Sequence, residues 1–400
     1  MNRSDCLGII AEYNPFHNGH KYQLEEAKRI SGAKHIIVCM SASFVQRGEP
    51  ACADKFVRTQ WALEGGADMV IELPDVLSVS CAERFAMGGI KLLNSTGLIS
   101  GICFGSETGD ISMLRRAAST EPNKNVLKEA LADGHSYPIA KRNALAANGA
   151  DISINAPNDL LGIEYLRAIT KLAPSLNAFA IKRIGSGYND KVSNGEYASA
   201  TAIRAFLNQS PPAHIDALPQ FVREAVQAQM DLGKMPVSLK TLSSPIIYSL
   251  RKLGANGISN LAEVSEGLEN PIFRAAQSCG SYDELLTSIK TKRYTLSRLK
   301  RILINALLGT TSNLQDLALS LPDALYIRVL GIRKESMHLL SMLHSSASLP
   351  VITRHSSLNA LSTNAAMVFK HSALASSIRA LAQPVVKASE DEFFSALIIV

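Results

Sequence analysis

No run in the chain approaches the ~20 consecutive apolar residues that a membrane-spanning helix needs. The opening residues also lack a signal-peptide pattern, because the apolar run after Arg3 is one strand long and leads into Glu12. The protein is therefore expected in the cytoplasm, with no membrane partner. Six cysteines (Cys6, Cys39, Cys52, Cys81, Cys103 and Cys279) form no CxxC pair. Several lie inside apolar runs such as Ile36–Met40 and Ile102–Phe104, so reduced, buried thiols are expected rather than a disulfide framework. No zinc-type ligand spacing occurs, and no metal site is assigned. Internal repeats and low-complexity tracts are absent too, which argues against a repeat array or a disordered chain.

What is present is a packed globular composition, with 46% hydrophobic residues in a chain of 400. That length suits two or three domains. A net charge of +6 favours anionic partners only mildly, so the placement of the basic residues must decide.

The first half alternates short apolar runs with helical periods. The runs are Leu7–Ala11, Ile36–Met40, Met69–Leu73, Gly101–Phe104 and Ala178–Ile184. Each is too short for a helix and carries almost no polar alternation, the pattern of strands buried on both faces of a parallel sheet. Between them, Leu24, Ala27 and Ile30 share one helical face, and Asn158 can cap a helix through Leu161 and Tyr165. The expected fold is α/β: an N-terminal Rossmann-like, doubly wound parallel sheet over residues 1–212. A mainly helical domain over 213–400 follows, with helices at Asp216–Leu232, Glu269–Cys279, Tyr282–Lys290 and Leu296–Leu308 and a short strand at Leu349–Thr353. The proline-containing Asn208–Pro212 is a plausible boundary. Ligands of such sheets bind at the carboxyl ends of the strands, so the loops after the strands are the ones to inspect.

The loop after the first strand reads Ile10-Ala11-Glu12-Tyr13-Asn14-Pro15-Phe16-His17-Asn18-Gly19-His20. Pro15 fits a helix start that Asn14 can cap. His17 and His20, spaced i, i+3, share a face of the first turn, and Gly19 leaves room for a ligand near the backbone. A helix N-terminus with two imidazoles suits a polyphosphate, and donors placed where charge grows on an attacked phosphorus stabilise the transition state. The bare HxGH spacing is also what two capping histidines produce. A second segment, Ser199-Ala200-Thr201-Ala202-Ile203-Arg204, opens a helix after the loop Gly185–Tyr188; Ser199 and Thr201 can donate to phosphate and Arg204 can reach its outer groups. Alone it also reads as a capped helix with a surface arginine. Gly105 in Phe104-Gly105-Ser106-Glu107, Asn158 and Arg183 stand at strand ends or a helix start and are further candidates. The polar loop Ser41–Pro50 can line a substrate pocket or be plain surface.

The Glu12–His20 segment EYNPFHNGH, Phe44–Pro50 FVQRGEP, Gly66–Pro74 GADMVIELP, Ser199–Arg204, Thr291–Arg301 TKRYTLSRLKR and Tyr326–Ile332 YIRVLGI together resemble the tRNA(Met) cytidine acetate ligase family. That family belongs to the HIGH-type nucleotidyltransferase superfamily, and the resemblance covers nearly the whole chain. It implies that ATP and acetate give acetyl-adenylate, and that the acetyl group passes to N4 of the wobble cytidine of elongator tRNA(Met). It implies catalytic roles for His17, His20, Thr201 and Arg204. It further implies ATP binding by Ile10 to His20 together with Lys21, Tyr22, Gln23, Gly105, Asn158, Arg183 and Ser199. Magnesium is expected with ATP, without nameable protein ligands. One departure is Ala42-Ser43, where the family often has glycine then asparagine, which bears on acyl selectivity.

Lys290–Arg301 holds six basic residues and no acidic one. Arg293, Arg298, Lys300 and Arg301 are the expected tRNA contacts, with Tyr294 among them, Thr295 capping the following helix, and Leu296, Leu299 and Ile302 facing the core. A solvated helix face is the plainer reading. Arg328, Arg333-Lys334 and Arg354-His355 are further basic spots. Two other functions fit parts of the pattern: a small-molecule adenylyltransferase, and an RNA-binding protein with a relic nucleotide site.

Overall fold

The computed structural model describes residues 5–149, 156–184, 195–209, 215–265, 267–386 and 396–400. The loop Gly185–Tyr188, and residues 210–212 of the expected boundary, lie outside them. The apolar runs become β1 (Cys6–Ala11) and β2 (His35–Ser41), then a hairpin of β3 (Phe44–Val45) and β4 (Glu49–Pro50), then β5 (Met69–Leu73), β6 (Ile99–Ser106) and β7 (Asn177–Lys182). The last of these stops at Lys182, short of the expected Ile184.

The order β5-β2-β1-β6-β7 is parallel throughout. Strand order therefore reverses between β1 and β6, which is where a doubly wound sheet opens a crevice. β5 is buried at every position, as expected where helices cover both faces. One apolar layer gathers Ile37, Ile71, Phe85, Ile163 and Phe369, and a second gathers Leu7, Ile9, Phe16, Val38 and Trp61.

Helices dominate the second half, including Gln220–Asp231, Glu269–Ser278, Tyr282–Ile289 and Leu296–Leu308 as expected, and Ser243–Ser259 and Thr363–Ala380, which were not. The second half does not stay out of the sheet, however. β8 (Ile327–Ile332) pairs antiparallel with β5, and β9 (Val351–Ile352) and β10 (Ile398–Ile399) run parallel to β8. A boundary at 212 thus divides the chain but not the sheet. Ile327–Ile332 is buried at every position, so it is a strand for the same reason as the earlier runs. A third apolar cluster is built from the later helices, and Phe44 of the β3–β4 hairpin enters it from the first half. No helix among the described residues is long and apolar enough to cross a membrane.

Candidate active site

The chain leaves β1 through Tyr13, whose φ of 46° lies in the left-handed region that a bulky residue seldom adopts. Tyr13 and Phe16 are fully buried, with ring centroids 4.9 Å apart, so their side chains anchor the loop from below. The first helix, Asn18–Ser31, starts later than Pro15 suggested, and its cap is His17, not Asn14. Asn14 is buried and accepts from the Cys52 N–H at 2.7 Å, which spends its oxygen on the neighbouring loop. Asn18 donates its amide to the Glu196 and Asp216 carbonyls at 3.0 and 2.9 Å, tying the helix start to the later chain. Lys21 is exposed, and Tyr22 and Gln23 are half-buried on the same helix.

The two histidines form a capping box. His17 Nδ1 accepts from the Gly19 N–H at 3.1 Å, and His20 Nδ1 accepts from the His17 N–H at 3.3 Å. A neutral imidazole that accepts at Nδ1 carries its proton on Nε2, so both rings offer an Nε2–H donor. The rings stack with centroids 3.7 Å apart. Burial, then the Arg183 charge, brings the His17 pKa down to about 3. Burial, then His17 and Arg183, holds His20 well below its ordinary value. The helix start is thus a neutral, preorganised pair of side-chain donors at the positive end of a helix whose first N–H groups are already engaged within the protein.

Arg183 continues from β7, where its N–H donates to the Ser106 carbonyl at 2.9 Å. A Cβ placed on Gly105 would lie 3.5 Å from Arg183 Cγ, so the glycine leaves the end of β6 open beside the guanidinium. Asn158 is not a cap: the helix Pro157–Leu172 is capped at Ala156, and the Asn158 amide donates to Glu107 Oε1 at 2.6 Å. Ser199 caps the helix Ala200–Leu207 by accepting from the Ala202 N–H at 3.2 Å, which leaves Thr201 exposed. Arg204 then reaches the first loop, donating to the Asn14 carbonyl at 2.8 Å and to Glu49 Oε2 at 3.1 Å. Glu12–His20, Gly105, Asn158, Arg183 and Arg204 therefore converge at the strand ends around β1 and β6.

The model of the HIGH Nucleotidyl Transferase family matches residues 4–392. The tRNA(Met) cytidine acetate ligase of Acetivibrio thermocellus is 42% identical over 365 residues, 87% of this chain and 88% of that protein. The enzyme of that name from Caldanaerobacter subterraneus subsp. tengcongensis is 37% identical, over 98% of this chain and 99% of its own. The chain belongs to the tRNA(Met) cytidine acetate ligase family. Two crystal structures of Thermotoga maritima TmcAL share its architecture. The one bound with alpha-thio ATP superposes with a TM-score of 0.90 at 29% identity, covering 99% of this chain and 100% of that one. The apo form gives 0.92 at 30%, with the same coverage.

Three residues of this family member that the sequence reading passed over hold the site together. Arg58 is fully buried and donates to the carbonyls of Glu12 (2.7 Å), Ser41 (2.9 Å), Ala42 and Ala53 (3.1 Å). One guanidinium therefore clamps the loops leaving β1 and β2. Burial lowers its pKa to about 10, which leaves it charged at neutral pH. Asp159, also buried, accepts from the Ser106 hydroxyl and from the Glu107 N–H at 3.0 Å, fixing the Gly105 loop to the Asn158 helix. Asp75 Oδ1 accepts from the Ser43 and Phe44 N–H groups at 2.9 and 2.7 Å and fixes the start of the hairpin. No local signal marked Arg58 or Asp159: an arginine three residues before Trp61 reads as an exposed helix charge, and an acidic residue in a first turn, as for Asp159, reads as an ordinary dipole partner.

The basic segment divides. Lys290, Lys292 and Arg293 are exposed. Thr295 caps Leu296–Leu308 and Leu299 and Ile302 are buried as expected, but Leu296 is 40% exposed. Arg298 donates to the Glu263 carbonyl at 2.9 Å and lies 5.1 Å over the Tyr294 ring. Lys300 meets Glu49 at 2.6 Å, and Arg301 is buried against Glu263. Arg298, Lys300 and Arg301, expected as tRNA contacts, thus each have a partner within the protein, and of the two ion-paired residues Arg301 is buried while Lys300 stays 21% exposed.

The depressed histidine pKa values carry a pH prediction. Between pH 6.5, the ordinary value, and about 3, the unfolded chain binds protons at His17 that the folded chain refuses. Stability from this group is complete above 6.5 and falls as pH drops through that window. Conversely, the pH profile of nucleotide turnover is expected to show no acid limb near 6.5, because both rings stay neutral there. A kcat/KM profile from pH 5 to 8, with melting followed in parallel, separates the two effects. An inflection near 6.5 that His20→Gln abolishes would refute the neutral-donor assignment.

Proposed function

We propose that this chain activates acetate with ATP to acetyl-adenylate, releasing pyrophosphate, and passes the acetyl group to N4 of the wobble cytidine of elongator tRNA(Met). The observation that carries the reading is the His17–His20 pair: two neutral Nε2–H donors at a helix N-terminus, in the crevice where the sheet order reverses. In the first step an acetate oxygen attacks the α-phosphorus and pyrophosphate leaves. The histidine donors, with Arg183, Arg204 and Thr201, meet the charge that grows on the phosphate oxygens. In the second step the cytidine N4 attacks the acyl carbon, AMP leaves with the C–O electron pair, and the nitrogen gives up one proton. That amine is a weak nucleophile because its lone pair is shared with the ring, so an activated acyl group held close is what the chemistry requires. The base must be splayed out, as an anticodon allows.

Gly105, Asn158 and Ser199 are read here as nucleoside and phosphate contacts, and the exposed end of the basic segment, Lys290 to Arg293, as the tRNA backbone contact. Magnesium accompanies ATP through phosphate oxygens and water, a mode that needs few protein ligands. The described residues hold no group of three or more His, Cys, Asp or Glu gathered for a metal.

The test is labelled acetate incubated with the protein, ATP, magnesium and total tRNA, omitting each in turn. Label is expected in tRNA as N4-acetylcytidine, and pyrophosphate release with acetate before tRNA is added. If neither occurs, the nucleotide site serves another acceptor; a binding protein with a relic site would release no pyrophosphate at all.

A further inference from the structure

The β3–β4 hairpin joins the nucleotide end of the sheet to the basic helix. Gly48 at its tip has φ 72°, and a Cβ there would stand 2.5 Å from the Arg301 backbone nitrogen and 2.6 Å from the Lys300 carbonyl carbon. The hairpin therefore rests directly on the Leu296–Leu308 helix, closer than any side chain permits. The next residue, Glu49, divides its carboxylate between the two halves. Oε2 lies 3.1 Å from Arg204 Nη2, and Oε1 lies 2.6 Å from Lys300 Nζ. The three side chains are 22–23% and 21% exposed, so solvent screens the triad only in part. Burial pushes the Glu49 carboxyl up, but Arg204, Lys300 and Arg47 outweigh it and keep the group ionised.

We propose that Glu49 is a positioning residue that sets how strongly Arg204 binds a triphosphate, and that Lys300 tunes it by sharing the same carboxylate. This rests on the reading above that Arg204 meets the phosphates of ATP. A triphosphate must take Arg204 from Glu49, so the carboxylate competes with the ligand for one guanidinium. Lys300 draws on the other oxygen and weakens that competition. A phosphate of the RNA that draws Lys300 away leaves Glu49 wholly to Arg204, which loosens the hold on polyphosphate. The triad thereby links docking on the basic helix to the release of pyrophosphate.

The experiment is calorimetric titration of the full chain with a non-hydrolysable ATP analogue, for wild type, Glu49→Gln, Lys300→Met, the double variant and Lys300→Arg. Removing the competing charge in Glu49→Gln is expected to tighten binding roughly fivefold. Lys300→Met is expected to weaken it roughly threefold, and Lys300→Arg to restore it. The double variant should bind as Glu49→Gln does, because Lys300 acts only through Glu49. A merely structural role would lower the melting temperature of the variants and weaken binding in all of them. Equal effects of Lys300→Met with and without Glu49 would mean that Lys300 meets the nucleotide itself, and would overturn the proposal. Unchanged or weaker binding by Glu49→Gln at an unchanged melting temperature would do the same. Absence of binding by the wild type would sink the nucleotide reading itself, a different outcome from an additive cycle.

Discussion

His20→Ala is expected to lower ATP-dependent pyrophosphate release by roughly 10³-fold while leaving tRNA affinity within about twofold. The ring does two jobs that the structure separates by atom. Its Nδ1 accepts from the His17 N–H, which holds the first turn, and its Nε2–H is the donor proposed to meet the phosphate. Alanine removes both, so about 1 kcal/mol of cap stability is lost along with the donor. Glutamine at the same position is a good capping-box partner and should recover most of the melting temperature. It should not recover the rate, since its donor cannot occupy the place of Nε2–H in the stacked pair. Single-turnover pyrophosphate release and a filter-binding isotherm for tRNA supply the two readouts. A large loss of tRNA affinity in His20→Ala would show that the helix start, and not only the basic segment, holds the RNA.

The strand-end loops of the sheet were legible because the forces that build them are local. Strands buried on both faces must be written as unbroken apolar runs, and their carboxyl ends then name the loops. Proline, glycine and two histidines at i, i+3 mark a helix start of the kind that suits an anion. The same local reading misjudged caps at Asn14 and Asn158. There the choice of cap depends on where the neighbouring chain arrives: Cys52 takes the oxygen of Asn14, and Glu107 takes the amide of Asn158. Arg58 and Asp159 were illegible for a related reason. A buried charge looks like a surface charge until the carbonyls or N–H groups it satisfies have been gathered from distant loops. β8 escaped because its run lies among helices, and nothing local says that residues 327–332 return to pair with β5. The basic segment was legible only in part: its composition suggests a phosphate face, yet two of its residues meet carboxylates supplied from elsewhere in the chain, Glu49 for Lys300 and Glu263 for Arg301.

That last pairing carries the largest expected loss of stability. Arg301→Ala should destabilise the protein by about 3–5 kcal/mol, seen as a fall in the denaturant midpoint. Arg301 Nε and Nη2 each lie 2.7 Å from an oxygen of Glu263, with the two side chains only 7% and 9% exposed. Removing the guanidinium strands a carboxylate out of water, and Glu263 sits at φ 67°, where a shifted loop cannot readily relax. Replacing both members, Arg301→Met with Glu263→Gln, should cost less than the single change, because no unpaired charge remains. The exposed end of the segment should behave oppositely. Lys290→Ala and Lys292→Ala should change stability by less than about 0.5 kcal/mol, yet each should lower the slope of log Kd for tRNA against log salt by about one phosphate contact. A stable Arg301→Ala with a flattened salt slope would return Arg301 to the RNA surface. The predicted pattern instead makes Arg301 a strut whose charge is satisfied within the protein, leaving the residues before Tyr294 and the partly exposed Lys300 to meet the nucleic acid.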